Sequence, residues 1–203
     1  MPSSDATDGG RSLVRAAFAV SLLSIAWTVL AGSAAVALGL GSGSVVLVAF
    51  GAIGFLDALG SAALAYHFRH ALRHDVLAED LERLAHRIVS IGLVVVGGAA
   101  VIGGGLRLLL GGVTTSSVAG TVVAGVSVVA LSALSRRKVV LARRVGSPAL
   151  RSDGHLSAVG AAQAAVTLLG TMTALIGWHW ADPAAAVAVG VVALSVGVQS
   201  WRS

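Results

Sequence analysis

Six apolar runs alternate with short polar or charged connections along this chain. They cover about Ala16 to Leu40, Ser44 to Tyr66, Ile88 to Leu110, Val118 to Leu134, Pro148 to Ile176 and Ala184 to Val198. A helix that crosses a bilayer needs roughly 20 apolar residues, because it rises about 1.5 Å per residue through a core about 30 Å thick. Lipid offers no hydrogen bonds, so each run must satisfy its own backbone, which selects helices. The pattern predicts an all-α integral membrane protein, a six-transmembrane-helix bundle. GLGSGS, GGVTTSS and GWHWADP read as tight turns at one end of the bundle. Residues 69–87 and the basic stretch 136–144 connect the spans at the other end. The polar segment 1–10 reads as a disordered tail, residues 11–203 as the membrane domain, and no stretch is left for a C-terminal cytoplasmic domain. Within 69–87, Leu72, Val76, Leu81, Leu84 and Ile88 recur at helical spacing and Glu79 stands four residues before Arg83. That pattern predicts a short surface helix, or an extension of spans two and three beyond the membrane.

Composition agrees with the pattern. Charged residues make up 11% of the chain and hydrophobic residues 56%, with a mean hydropathy of +0.91. So little polar surface cannot coat a water-soluble domain, which carries about a quarter charged residues. The net charge of +5 does not point to nucleic acid, because the basic residues lie between apolar runs and form no aromatic-bearing face. With the N-terminus inside, thirteen of the fourteen Lys and Arg residues fall on the cytoplasmic side and only Arg107 on the outer side. The positive-inside rule therefore puts both termini in the cytoplasm. The abundance of Arg, Ala, Gly and Val suits a GC-rich bacterial source, hence a multi-pass protein of the inner (plasma) membrane. AGSAA at 31–35 resembles a signal-peptidase site, but the apolar run continues to Leu40, longer than a signal core. Cysteine is absent, which excludes disulfides and thiolate metal sites. Gly51 and Gly54 in span two, and Gly97, Gly98, Gly103, Gly104 and Gly105 in span three, mark expected helix-packing faces.

Ionisable groups inside spans are costly and therefore informative. Asp57 lies in the middle of span two, Asp153 and His155 in the inner part of span five. Counting 1.5 Å per residue puts Asp57 about 15 Å from the inner end, and Asp153 and His155 about 8–10 Å in. Two carboxylates and an imidazole at overlapping depths suit a borderline divalent cation such as zinc, and the same groups can exchange protons. Asp153 and His155 are two apart, however, so a regular helix points them in different directions. The structural alternative pairs Asp153 with Arg151 or with an Arg of the preceding loop, and leaves His155 as a hydrogen-bonded interior residue. His67, His70, His74 and His86 read as solvated surface groups, His179 between Trp178 and Trp180 as part of an interfacial anchor, and Arg107 as a snorkelling residue. The basic stretch 136–144 reads as a topology determinant in contact with anionic lipid. No nucleophile–base constellation or phosphate loop is present, so the chain does not read as an enzyme, and no resident cofactor is expected.

LRSDGHLSAVGA followed by GWHWADPAAAVAVGVVAL resembles the fifth and sixth helices of cation diffusion facilitators, and SIAWTVLAGSAAVALGLGSGSVVLVAFGAIGFLD resembles their first two. The resemblance extends over nearly all of the chain after residue 11. It implies export of a divalent metal cation (zinc, cobalt, iron or manganese) in exchange for protons, with the bilayer and a second copy of the chain, met through the helices, as partners. It also implies a metal site formed by acidic residues on the second helix and an Asp, His, Asp pattern on the fifth. Asp57 and Asp153 match that set. Leu156 stands where the family His is expected, Gly160 at the second Asp, Ile53 at the second acidic position of helix two, and Ala31 at the acidic position some members carry on helix one. The sequence thus predicts a cation efflux transporter acting through Asp57, Asp153 and His155. The alternative is a non-transporting membrane protein with the same fold and a decayed site, serving as a structural or regulatory partner.

Overall fold

A computed structural model of the chain describes residues 4–71, 79–111 and 117–202. They form six helices: α1 (Ser4–Ser42), α2 (Val45–Ala71), α3 (Glu79–Leu110), α4 (Val118–Val145), α5 (Pro148–Leu175) and α6 (Ala181–Arg202). All six are long and apolar enough to cross a membrane, and no strand occurs among the described residues. The expected bundle is therefore present. α1 begins at Ser4, inside the segment expected as a tail. Once a span has nucleated a helix, each further turn is added at little cost. Residues 72–78, with His74, and the side chains of His67, His70 and His86 lie outside the described residues.

The largest departure concerns the fourth span. The basic stretch expected as a loop is helix: α4 continues from Val118 through Arg136, Arg137, Lys138, Arg143 and Arg144 to Val145. Its buried stripe, Gly120, Ala124, Ser127, Leu131, Ser135, Lys138 and Ala142, keeps the spacing of three and four residues without a break. At 28 residues the helix is about 42 Å long, longer than the hydrocarbon core, so its basic end projects towards the interface. Gly146 closes it in the left-handed conformation at φ 68°. Ser147 then caps α5 by accepting the Leu150 N–H at 3.2 Å, and Pro148 occupies the first turn, where its missing N–H costs nothing.

The helices pack mainly as the pairs α1–α2, α3–α6 and α4–α5, with α2 also touching α3, α5 and α6. Large aliphatic side chains such as Leu30, Val95, Ile102 and Leu109 face outwards, and the interior is rich in Ala, Gly, Ser and Thr. Small residues let backbones approach closely where lipid removes the hydrophobic drive for helix association. At the α3–α6 crossing a Cβ on Gly97 would lie 2.8 Å from the Gly190 carbonyl oxygen, and one on Gly190 would lie 2.7 Å from that of Gly97. Gly32 and Gly51 meet in the same reciprocal way between α1 and α2. Of the other glycines expected at contacts, Gly104 packs against the Pro183 carbonyl, whereas Gly98 and Gly105 face open space. Gly190→Val must push backbone against backbone. It is expected to destabilise the protein by about 1–3 kcal/mol in detergent unfolding, whereas Gly98→Val should leave stability nearly unchanged.

Candidate cation site

A charge cluster lies inside the bundle near the α4–α5 turn. Lys138, the chain's single lysine, is completely buried, and its Nζ lies 2.8 Å from Asp153 Oδ2. The ammonium also donates to Ser24 Oγ at 2.8 Å, Ser157 Oγ at 2.9 Å and Ser61 Oγ at 3.2 Å. Ser61 in turn donates to Asp153 Oδ1 at 3.1 Å. Four helices thus converge on one ion pair: α1 through Ser24, α2 through Ser61, α4 through Lys138, and α5 through Asp153 and Ser157. Gly154 makes the closest approach possible. A Cβ there would lie 2.8 Å from Val139 Cγ2 and 3.2 Å from Lys138 Cβ. Ser135 Oγ donates to the Gly154 carbonyl at 2.8 Å and fixes the same contact from the α4 side. The expected partners of Asp153, Arg151 or a loop Arg, are replaced by Lys138, and Arg151 is exposed.

One helical turn further into the bundle lies Asp57, four residues before Ser61 on the same face of α2. It is near enough to Lys138 and Asp153 to feel both charges. Its Oδ1 is buried without a hydrogen-bond partner, as is the indole Nε1 of Trp27. Both residues line one cavity of about 50 Å³, room for a few waters. Thr28 and Gln163 supply the other polar side chains of its wall. The Thr28 hydroxyl donates to the Ser24 carbonyl at 2.8 Å, which leaves its oxygen lone pairs free to accept. Two residues that each carry a buried polar atom without a protein partner thus meet on the wall of one small cavity, an arrangement that suits water or an ion.

Asp57 and Asp153 therefore come together in the same interior region. His155 does not join them: it is exposed, on the side of α5 turned away from the ion pair. Among the described residues no three His, Cys, Asp or Glu side chains lie close enough to hold a metal ion. Ile53, Leu156, Gly160 and Ala31, the positions at which the resemblance expects further ligands, all line the Asp57 cavity. Sequence reasoning missed Lys138, because a lysine inside the run RRK looks like part of a charged loop. The signal that finds it is its place on the unbroken buried stripe of α4.

In the sequence Asp182 is marked only by its place in the turn GWHWADP. It is buried in the first turn of α6, and its carboxylate accepts the Ser44 hydroxyl and the Val45 N–H, the latter at 3.1 Å. It thereby satisfies the start of α2 and ties that helix to α6. Arg107 donates to the Gly43 carbonyl in the adjoining turn instead of only snorkelling outwards. Trp178 and Trp180 stack with centroids 5.9 Å apart, and His179 between them is exposed. Asp182→Ala is expected to cost about 0.5–2 kcal/mol of stability, read by thermal unfolding and by faster hydrogen exchange at the Val45 amide.

The cation efflux transmembrane domain matches residues 21–203 of this chain, nearly its whole length. The chain belongs to the cation efflux family. Members of that family are transporters and not enzymes, so this cation efflux protein is a multi-pass membrane protein of the cation-transporting class. No curated protein matches it. In its cavity one carboxylate stands among mostly apolar side chains, with an ion pair one turn away.

Proposed function

We propose that this cation efflux protein exchanges a cation for a proton at Asp57. The observation that carries the reading is the buried, unpartnered carboxylate oxygen of Asp57 on a cavity in the middle of the bundle. A carboxylate without a protein donor must be neutralised by a proton or by a cation, and the two compete for the same oxygen. Asp153 adds negative potential from one turn away, moderated by Lys138. The family membership supports a metal cation as cargo, with waters completing its coordination where Ile53, Leu156 and Gly160 offer none. His155, exposed and turned away, would act as a surface relay for ions or protons and not as a ligand beside Asp57. The bacterial plasma membrane, with both termini cytoplasmic, is the setting that the Arg distribution supports.

A non-transporting partner is the second reading, and one observation favours it: the four further ligand positions around the cavity, Ala31, Ile53, Leu156 and Gly160, are apolar or Gly. Purified protein in proteoliposomes decides between the two. An imposed pH gradient with zinc, cobalt, manganese, iron, nickel and sodium in turn should yield cation-dependent proton movement that Asp57→Asn abolishes. Folded protein that moves none of these ions above empty vesicles would leave the partner reading.

A further inference from the structure

We propose that Lys138 is a tethered cation that sets the charge of the cargo, so that the cavity takes a singly charged, hard cation of the sodium class in place of a divalent metal. This inference rests on the cation-transport reading and specifies its substrate. Three charged groups share the interior region: the carboxylates of Asp57 and Asp153 and the ammonium of Lys138. Asp182 is the other buried charge among the described residues, and it lies at the opposite end of the bundle, engaged with Ser44 and Val45. With Asp57 ionised, two carboxylates and one ammonium leave a single net negative charge. A singly charged cation at Asp57 brings the cluster to neutrality. A divalent cation leaves an uncompensated positive charge in a low-dielectric interior, the arrangement most penalised there.

Lys138 is not a mobile surface group. It is fully buried, its three N–H groups are matched by four oxygens within 3.2 Å, and those oxygens come from α1, α2 and α5. Its charge is therefore a fixed part of the site. Donor chemistry narrows the cargo to a hard cation, and the charge count then selects the singly charged class. The side chains that can reach an ion in the cavity offer oxygen only: the Asp57 carboxylate, the Thr28 hydroxyl and the Gln163 amide. Oxygen donors suit hard cations, whereas zinc and its neighbours favour imidazole and thiolate. A cavity of about 50 Å³ holds such an ion with a few waters.

The test is a charge series read as the ratio of sodium to manganese transport in proteoliposomes, with equilibrium binding of each ion to the purified protein as a second readout. Wild-type protein is expected to favour sodium by about tenfold or more. Lys138→Met leaves two net negative charges and is expected to shift the ratio at least about tenfold towards manganese. Asp153→Asn leaves no net charge and is expected to weaken both ions. Lys138→Met combined with Asp153→Asn leaves one negative charge again and is expected to return the preference to sodium. If Lys138→Met does not fold, Asp153→Asn and the double variant still decide, because loss in the first and recovery in the second follow only from charge. Manganese carried as well as sodium by the wild type, with a ratio unmoved across the series while Asp57→Asn abolishes both, overturns the inference and leaves cation transport standing. No flux or binding of either ion in any folded variant overturns both.

Discussion

Asp57→Asn is expected to lower cation–proton exchange by about a hundredfold or more while leaving the protein as stable as the wild type to within about 1 kcal/mol. The first half follows from Coulomb's law. A unit charge about 4 Å from a cation is worth about 4 kcal/mol at the effective dielectric of a protein site, and the amide removes that charge with no change of shape. The second half follows from the hydrogen-bond inventory. Asp57 Oδ1 has no protein partner, so replacing the carboxylate breaks no structural bond through that atom. Flux measured with a pH-sensitive dye inside vesicles checks the first half, and unfolding in detergent the second. A variant that lost flux only because it unfolded would show Asp57 to be a structural residue.

Lys138→Ala is expected to behave in the opposite way, with a loss of stability of about 3–5 kcal/mol. Truncation removes the counter-charge of Asp153 and strips Ser24, Ser61 and Ser157 of their shared donor, all within a buried site. A carboxylate left alone there must take up a proton or draw in water. Pairing Lys138→Met with Asp153→Asn removes both charges and should recover most of the loss, since replacing a buried pair by groups of similar volume is often nearly neutral. Thermal unfolding of Lys138→Met, Asp153→Asn and their double variant, read as a double-mutant cycle, checks this. A coupling energy near zero would show that the ion pair contributes little.

The contrast between these two carboxylates explains how far the sequence could be read. Asp57 and Asp153 both stood out as charges inside apolar runs, and nothing in one dimension distinguished an open acceptor from a paired one. That difference depends on Lys138, separated from Asp153 by the α4–α5 turn and hidden among arginines that do face outwards. Arg136 and Arg137 are exposed, yet the next residue is fully buried, because one step of about 100° around a helix carries a side chain from one face to another. The six spans were legible because hydropathy acts locally. The end of α4 was not, because a count of basic residues registers charge and ignores direction. His155 illustrates the same limit: its spacing of two from Asp153 already placed it on another face, and it is exposed. Asp182 was hidden by its turn, since its role depends on the start of α2, more than a hundred residues earlier in the chain.

The α4–α5 turn also bears on how the protein enters the bilayer. A lone lysine at the centre of a spanning helix costs about 2.5–3.5 kcal/mol to insert, and an aspartate about as much. Only Gly146 and Ser147 separate the two helices, so Lys138 and Asp153 face each other as soon as the chain reverses. A hairpin of α4 and α5 presents the membrane with a neutral pair, whereas α4 arriving alone would expose an unmatched charge. Insertion of these two helices as one unit, with the serines of α1 and α2 closing over the pair afterwards, is the order of assembly that this short turn favours.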